Sequence, residues 1–241
     1  MTRLRRALVV VCTVLVAVTA APVPAAAVPR GVLASCARIH ALFPFAPDGN
    51  YVLLTRRFLL GVYCHDMAGR PREYLTLANT GRSANFSQYT AGGPAAGISV
   101  RTSFTRLRVN PATLTVDIND LTFATSTGRL THAGRTVTAM PYASAMACDL
   151  HNAFGRGNVD LRGTAFVLAD TFRTDGFVPF GSVAAGPRDQ LVDLVGGGYC
   201  GWIAPSPGAA DPVNPRGRLP ILELGCAPDG LFRPQVCLTR P

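Results

Sequence analysis

Cys64, His65 and Asp66 stand side by side in "GVYCHDMAGRPREYLTL" (residues 61–77), and these are the side chains from which metal sites and nucleophilic centres are built. If the run is a strand, neighbouring side chains point to opposite faces, so a Cys64–His65 thiol dyad is disfavoured. The other histidines are His40, His132 and His151, and no two of the four lie within four residues of each other. A helical zinc peptidase site needs H-E-x-x-H, which aims two imidazoles at one ion and sets a glutamate on the attacking water. Glu73 and Glu223 are the only glutamates, neither beside a histidine, so that site is absent. No G-x-S-x-G nucleophile elbow occurs, since "FGSVAAG" has the wrong spacing. Asp66, Asp117, Asp120, Asp160 and Asp193 are carboxylates from which a glycosidase pair would have to come, and their linear order favours no pair.

The cysteines carry a different message. Cys12 lies in an N-terminal apolar run, which leaves Cys36, Cys64, Cys148, Cys200, Cys226 and Cys237. An even count in an exported chain reads as three disulfides, for which six cysteines allow fifteen connectivities. Cysteine zinc sites use reduced C-x2-4-C pairs, and the closest pair, Cys226 and Cys237, is too widely spaced. No catalytic residue, metal ligand or cofactor is therefore expected, and the six cysteines are read as staples.

Export is read from the first residues. Arg3, Arg5 and Arg6 precede the apolar run Ala7 to Ala20, and Ala25 and Ala27 fit an A-x-A cleavage pattern. The expectation is a signal peptide over 1–27, cleaved after Ala27, and a secreted, extracellular product without a stable membrane anchor, because the run is short of the ~20 residues that span a bilayer. Cleavage removes three arginines and no acid, so the formal charge of +9 becomes about +6. The arginines are scattered, with Arg56/Arg57, Arg70/Arg72 and Arg106/Arg108 as close pairs, which argues against nucleic acid and leaves room for loose attraction to anionic polymers. "NFS" at Asn85 matches a glycosylation sequon.

These residues must be positioned by a mainly extended chain. "SCARIHALF" at 35–43 places Ile39, Leu42 and Phe43 at helical spacing behind a Ser35 N-cap, with Pro44 after it. From Asn50 onward, short apolar or alternating runs such as "YVLLT", "LLGVYC", "EYLTL", "FTRLRV" and "AFVLA" sit between Gly, Pro and Asn clusters. "TLTVDINDLTFAT" predicts a hairpin turning at Asn119-Asp120, and "RTVTAM" extends the sheet. "YTAGGPAAG" and "GFVPFGSVAAGP" read as long surface loops. "APSPGAADPVNPRGRLP" reads as a linker to a C-terminal stretch in which Cys226 and Cys237 are spaced to close a small loop. The fold class expected is α+β and β-rich: a short N-terminal helix, then antiparallel strands and long Gly/Pro loops, stapled by disulfides.

Two resemblances extend this reading. The stretch from Cys36 to Met67 resembles the opening of fibrinogen-like domains, where a cysteine, a short helix and a "VYC-D-M" strand follow in order; this implies a Cys36–Cys64 bond. A longer series, "SCARI", "DGNYVL", "VYCHDM", "PREYLTL", "NFSQY", "PYASAMAC", "NVDLRGTAFVL" and "GGGYCGW", resembles the GON domain, the C-terminal module of some secreted metalloproteases of the ADAMTS family and of bacterial exported proteins. It implies a GON-like domain over 34–203, a Cys148–Cys200 bond, and a tail over 204–241 with its own Cys226–Cys237 loop. Peptidase activity and zinc belong to that family's separate catalytic domain, so metalloendopeptidase activity with zinc is the alternative carried by association alone. The expected function is a monomeric, non-catalytic extracellular module that binds a protein or polysaccharide surface. The candidate contacts are His65, Asp66, Arg82, Tyr89, Phe177 and Phe180.

Overall fold

The computed structural model describes residues 33–92, 97–149, 153–206, 211–213, 221–228, 231–232 and 235–239. The expected signal peptide, His151 and most of the proline-rich stretch after Ser206 lie outside the described residues.

The helix α1 (Cys36–Leu42) forms where the sequence places it. Ser35 is extended and its hydroxyl accepts from the Arg38 N–H at 3.2 Å, satisfying one of the donors that a helix start leaves open. Cys36 and Ile39 are buried, while Leu42 and Phe43 face outward at 49% and 59% exposure, so one turn of this short helix meets the core.

The chain then runs through β1 (Gly49–Leu54), β2 (Phe58–His65), β3 (Arg72–Thr76), β4 (Phe86–Ala91), β5 (Ser99–Phe104), β6 (Arg106–Asn110), β7 (Thr115–Asp117) and β8 (Ala124–Thr127). A small hairpin of β9 (Leu130–His132) and β10 (Arg135–Val137) precedes β11 (Ala145–Asp149), β12 (Gly155–Asp160), β13 (Phe166–Leu168), β14 (Phe172–Phe177), β15 (Phe180–Ala185) and the long β16 (Leu191–Pro205). β17 (Ile221–Cys226), β18 (Leu231–Phe232) and β19 (Gln235–Thr239) follow.

Among the described residues these strands form two large sheets. The first has the order β13-β17-β7-β6-β3-β2-β19-β18, with β1 on β2; the second has the order β11-β16-β12-β4-β5-β8, with β14 and β15 on β16. Pairing is antiparallel apart from β4 with β11. Leu60, Val62, Leu75, Leu107, Val109, Val116 and Leu222 of the first sheet share one core with Phe104, Val159, Val192, Leu194 and Ile203 of the second. Alternation along each strand sends these side chains inward, and their burial is the main stabilising term.

Three local expectations give way to tertiary demands. The hairpin at Asn119-Asp120 does not form: β7 pairs with β6 and β17, whereas β8 pairs with β5 in the other sheet. Leu114, Val116 and Ile118 are all buried, and the connection after them crosses between sheets through turns closed by Asp120 N–H to Asp117 O and Ala124 N–H to Leu121 O. The glycine-rich 176–187 segment is strand rather than loop, since β14 and β15 lie end to end along β16. Its alternation is hidden by small residues and by an irregularity at Val178 (φ +46°) opposite Gly198 (φ +127°), where a Cβ would sit 2.3 Å from the Val178 carbonyl oxygen. The C-terminal stretch, expected as a tail, completes the first sheet instead: β17 bridges β7 and β13, and β19 pairs with β2. Leu222 and Cys237 are fully buried, so they belong to the core, whereas Leu238 is exposed.

The three expected disulfides, Cys36–Cys64, Cys148–Cys200 and Cys226–Cys237, are present. Asn85, where the chain passes from β3 to β4, has no exposed surface and lies at φ +52°, a conformation asparagine tolerates better than most residues. Its Nδ2 donates to the carbonyls of Asn79 and Asp160, both at 2.7 Å, and its Oδ1 accepts from Tyr142 Oη at 2.6 Å and Asp160 N–H at 2.9 Å. The sequon is therefore closed to modification in the folded chain.

Asn85→Ala should destabilise the protein by about 3–5 kcal/mol in chemical denaturation, because several buried groups lose their partners together. Protein secreted in folded form by a glycosylating host should carry no glycan at Asn85, checked by peptide mass. Replacing Cys36 and Cys64 by alanine should lower stability by about 3–4 kcal/mol, the effect of opening a loop of 28 residues, again by denaturation.

Candidate binding face

The outer face of the first sheet is set by register. Tyr63 lies opposite Tyr74 and His65 opposite Arg72, while Tyr74 and Thr76 lie opposite Arg108 and Arg106. Residues paired this way share a face, so β2, β3 and β6 send Leu60, Val62, Leu75 and Leu107 into the core and this aromatic and arginine set away from it.

Phe123, from the crossover between β7 and β8, lies edge-on against Tyr63, His65 and Tyr74, with ring centroids 5.9, 4.9 and 4.8 Å away. The Arg106 guanidinium sits 3.9 Å from the Tyr63 ring centroid and 4.8 Å from that of Phe123, and its Nε donates to Thr76 Oγ1. A groove of about 230 Å³ opens beside them, with Asn50, Val52, Gly61, Tyr63, Thr76 and Arg106 in its lining.

Charges fix the margins. Asp120, whose side chain is 5% exposed, accepts from Tyr74 Oη at 3.2 Å and faces Arg72 at 3.8 Å and Arg108 at 3.6 Å. Burial pushes the Tyr74 phenol upward, with the Asp120 charge adding to it, so Tyr74 remains a donor. At the other margin, Asp48 accepts from Met67 N–H at 2.7 Å, Asp66 N–H at 3.0 Å and His65 Nδ1 at 2.9 Å. The Met67 N–H, with smaller contributions from Asp66 and His65, outweighs desolvation and holds the Asp48 carboxyl below its usual range.

The six candidate contacts fall in different places. His65 stands on this face. Asp66 lies at its edge in the left-handed region (φ +56°), where its carboxylate accepts from Arg70 N–H and forms the turn. Arg82 is exposed elsewhere, and its carbonyl receives the Arg101 guanidinium. Tyr89 is not an exposed loop residue: it lies in β4 and is 2% exposed. Phe177 is exposed beside Tyr199, while Phe180 is half-buried against Phe154 at 5.2 Å. Tyr63, Phe123, Arg72, Arg106, Arg108 and Asp120 were not singled out as contacts. The i, i+2 spacing of Tyr63/His65 and of Arg106/Arg108 signals a shared face, whereas nothing in the sequence brings Phe123 to it.

Among the described residues one group has metal-ligand spacing: ligand atoms of His132, Cys148 and Cys200 lie within 4.8 Å of one another. The two sulfurs form a disulfide and carry no thiolate charge, so a lone imidazole remains. The zinc implied by the metalloprotease association does not fit these residues. No described helix is long and apolar enough to cross a membrane.

Asp48 gives a pH test with a definite sign. Because its folded pKa is depressed, its contribution is complete above the ordinary value of 3.8 and is lost as pH falls through the lower folded value. The stability difference between the native chain and Asp48→Asn should be constant at neutral pH and should shift against the native chain below that range, as read by thermal melts across acid pH.

The sequence matches the family model of the GON domain over residues 33–92 and 94–212, a range that includes all the strands of the face named above. No curated protein and no solved structure matches it. With more than half of its length in that match, the chain belongs to the GON domain family.

Proposed function

We propose that this protein is a secreted, non-catalytic extracellular module whose aromatic and arginine face binds a polysaccharide, preferentially an acidic one. The observation that carries this reading is the Arg106 guanidinium layered on Tyr63 and Phe123 beside the open groove. Ring faces and edges offer a surface for the apolar faces of sugar rings, and guanidinium N–H groups supply the directional bonds to hydroxyl and carboxylate oxygens. The formal charge of +9, about +6 once Arg3, Arg5 and Arg6 leave with residues 1–27, draws an anionic polymer toward the protein, an attraction that weakens with salt. The face belongs to a sheet whose other side makes the core; on it Tyr74 is 1% exposed, while Tyr63, His65 and Phe123 are half-buried and offer the accessible ring surface.

Affinity electrophoresis and calorimetry against acidic and neutral polysaccharides test this. Arg106→Ala and Tyr63→Ala should each weaken binding by about tenfold or more, as expected of central contacts, whereas Arg156→Ala, at an exposed position of β12, should not. Equal binding by Arg106→Ala and the native protein, or binding to a protein partner with no retention on any polysaccharide, would overturn the reading.

A further inference from the structure

We propose that Cys148–Cys200 is a thiol-exchange site, opened by a small thiol or a protein dithiol, with Cys200 as the sulfur attacked and Cys148 as the leaving thiolate. This rests on groups that the binding face does not use. Cys148 Sγ lies 2.9 Å from Tyr89 Oη and 3.6 Å from His132 Nδ1. Tyr89 Oη and His132 Nδ1 are themselves 2.7 Å apart, and His132 Nε2 faces Asp211 Oδ2 at 3.5 Å. A phenol and an imidazole thus converge on one sulfur of the bridge, and a carboxylate meets the far nitrogen of the imidazole. This arrangement stabilises negative charge on that sulfur, and in exchange the better-stabilised thiolate leaves faster.

Access and the groups beside the sulfur together separate this bridge from the others. Cys36 and Cys64 have no exposed surface, so their bond is closed to an incoming thiol, whereas Cys148 and Cys200 are both half-buried. Cys226 is half-buried too, and what sets Cys148–Cys200 apart from Cys226–Cys237 is the phenol and imidazole placed beside Cys148. Burial, with the Asp211 charge adding to it, pushes the Tyr89 phenol to about 12, so it keeps its proton and acts as a donor.

The step balances as follows. The incoming thiolate forms a bond to Cys200 Sγ, and the Cys148–Cys200 bond breaks with its electron pair passing to Cys148. A second thiolate of the reductant then displaces Cys200, so the reductant is oxidised to a disulfide and the protein gains two electrons. Of the two protons given up by the reductant thiols, one ends on Cys200 and the other on His132 Nδ1, where it faces the Cys148 thiolate with Asp211 on the far side of the ring. Trp202 packs against the same cluster and is the only tryptophan of the chain, so its fluorescence reports the opening.

The experiment titrates the full-length protein with glutathione, quenches with acid and maps adducts by mass spectrometry. Cys148–Cys200 should open first, with glutathione recovered on Cys200 and the Trp202 signal changing at the same midpoint. His132→Gln should slow opening by about tenfold, in line with a less stabilised leaving thiolate. In Cys200→Ser, the pH midpoint for alkylation of Cys148, which faces Tyr89 and His132 with Asp211 on the far side of the imidazole, should lie below the usual ~8.5 of a free thiol and return toward it when His132→Gln is added. Earlier opening of either other bridge, adducts on Cys148, or an unchanged rate in His132→Gln would overturn the proposal. If the variants do not fold, the adduct map of the native chain decides it.

Discussion

Every polar atom of the Asn85 side chain is engaged in holding the chain where it passes from one sheet to the other, and much of the second sheet is organised around that amide. Its Nδ2 fixes Asn79 on the incoming side and Asp160 at the end of β12, while its Oδ1 anchors Tyr142 just before β11. Its own N–H goes to Asn158, whose amide continues to Asp193 on β16. Asp160 is itself secured: burial works against its charge, but Arg162 and Asn79 together hold its carboxyl below the usual range. In a low-dielectric interior such a network is strong when complete and costly when broken, which makes the geometry at this crossing unique rather than approximate.

With the crossing fixed, the alternation of the strands sorts the rest. The apolar positions of β2, β3, β6 and β7 meet the second sheet, and their neighbours form an outer face of guanidinium groups and half-buried rings packed around the buried Tyr74. The failure of β7 and β8 to form a hairpin serves this face, because the crossover carries Phe123 across the rings of Tyr63, His65 and Tyr74. Asp120 in the same crossover gathers Arg72, Arg108 and Tyr74 beneath it, so one irregular connection organises both the rings and the charges.

The disulfides divide by setting. Cys36–Cys64 ties α1 to β2 and Cys226–Cys237 ties β17 to β19; Cys36, Cys64 and Cys237 are members of the shared core, and Cys226 packs against it. Cys148–Cys200 instead joins β11 to β16 within a second, smaller apolar cluster around Tyr89, Met146 and Trp202, where the histidine and carboxylate also sit. The His132–Asp211 pair therefore sits with the smaller apolar cluster rather than in the shared core.

Much of the fold was legible in the sequence. Ser35 before an apolar-periodic run predicts α1, because an N-cap acts through its own neighbours. "LLGVYC" and "FTRLRV" predict strands because alternation is a property of consecutive residues. The likeness to known domains pointed to the disulfide pairs, and the scarcity of glutamate and the spacing of the histidines excluded the helical zinc peptidase site without any structure. What the sequence could not determine is partnership between distant segments. Asn119-Asp120 has the composition of a hairpin turn, yet the strands on either side join different sheets, because burying Leu114, Val116 and Ile118 outweighs the local turn preference. The same holds for the C-terminal stretch, whose Leu222 and Cys237 enter the core, and for Tyr89, which looks like a loop contact until β4 carries it inside. Phe123 over Tyr63, and His132 and Asp211 beside Cys148, join residues far apart along the chain. Only the tertiary structure brings them together, because the free energy of core burial and of the Asn85 network sets which strands become neighbours.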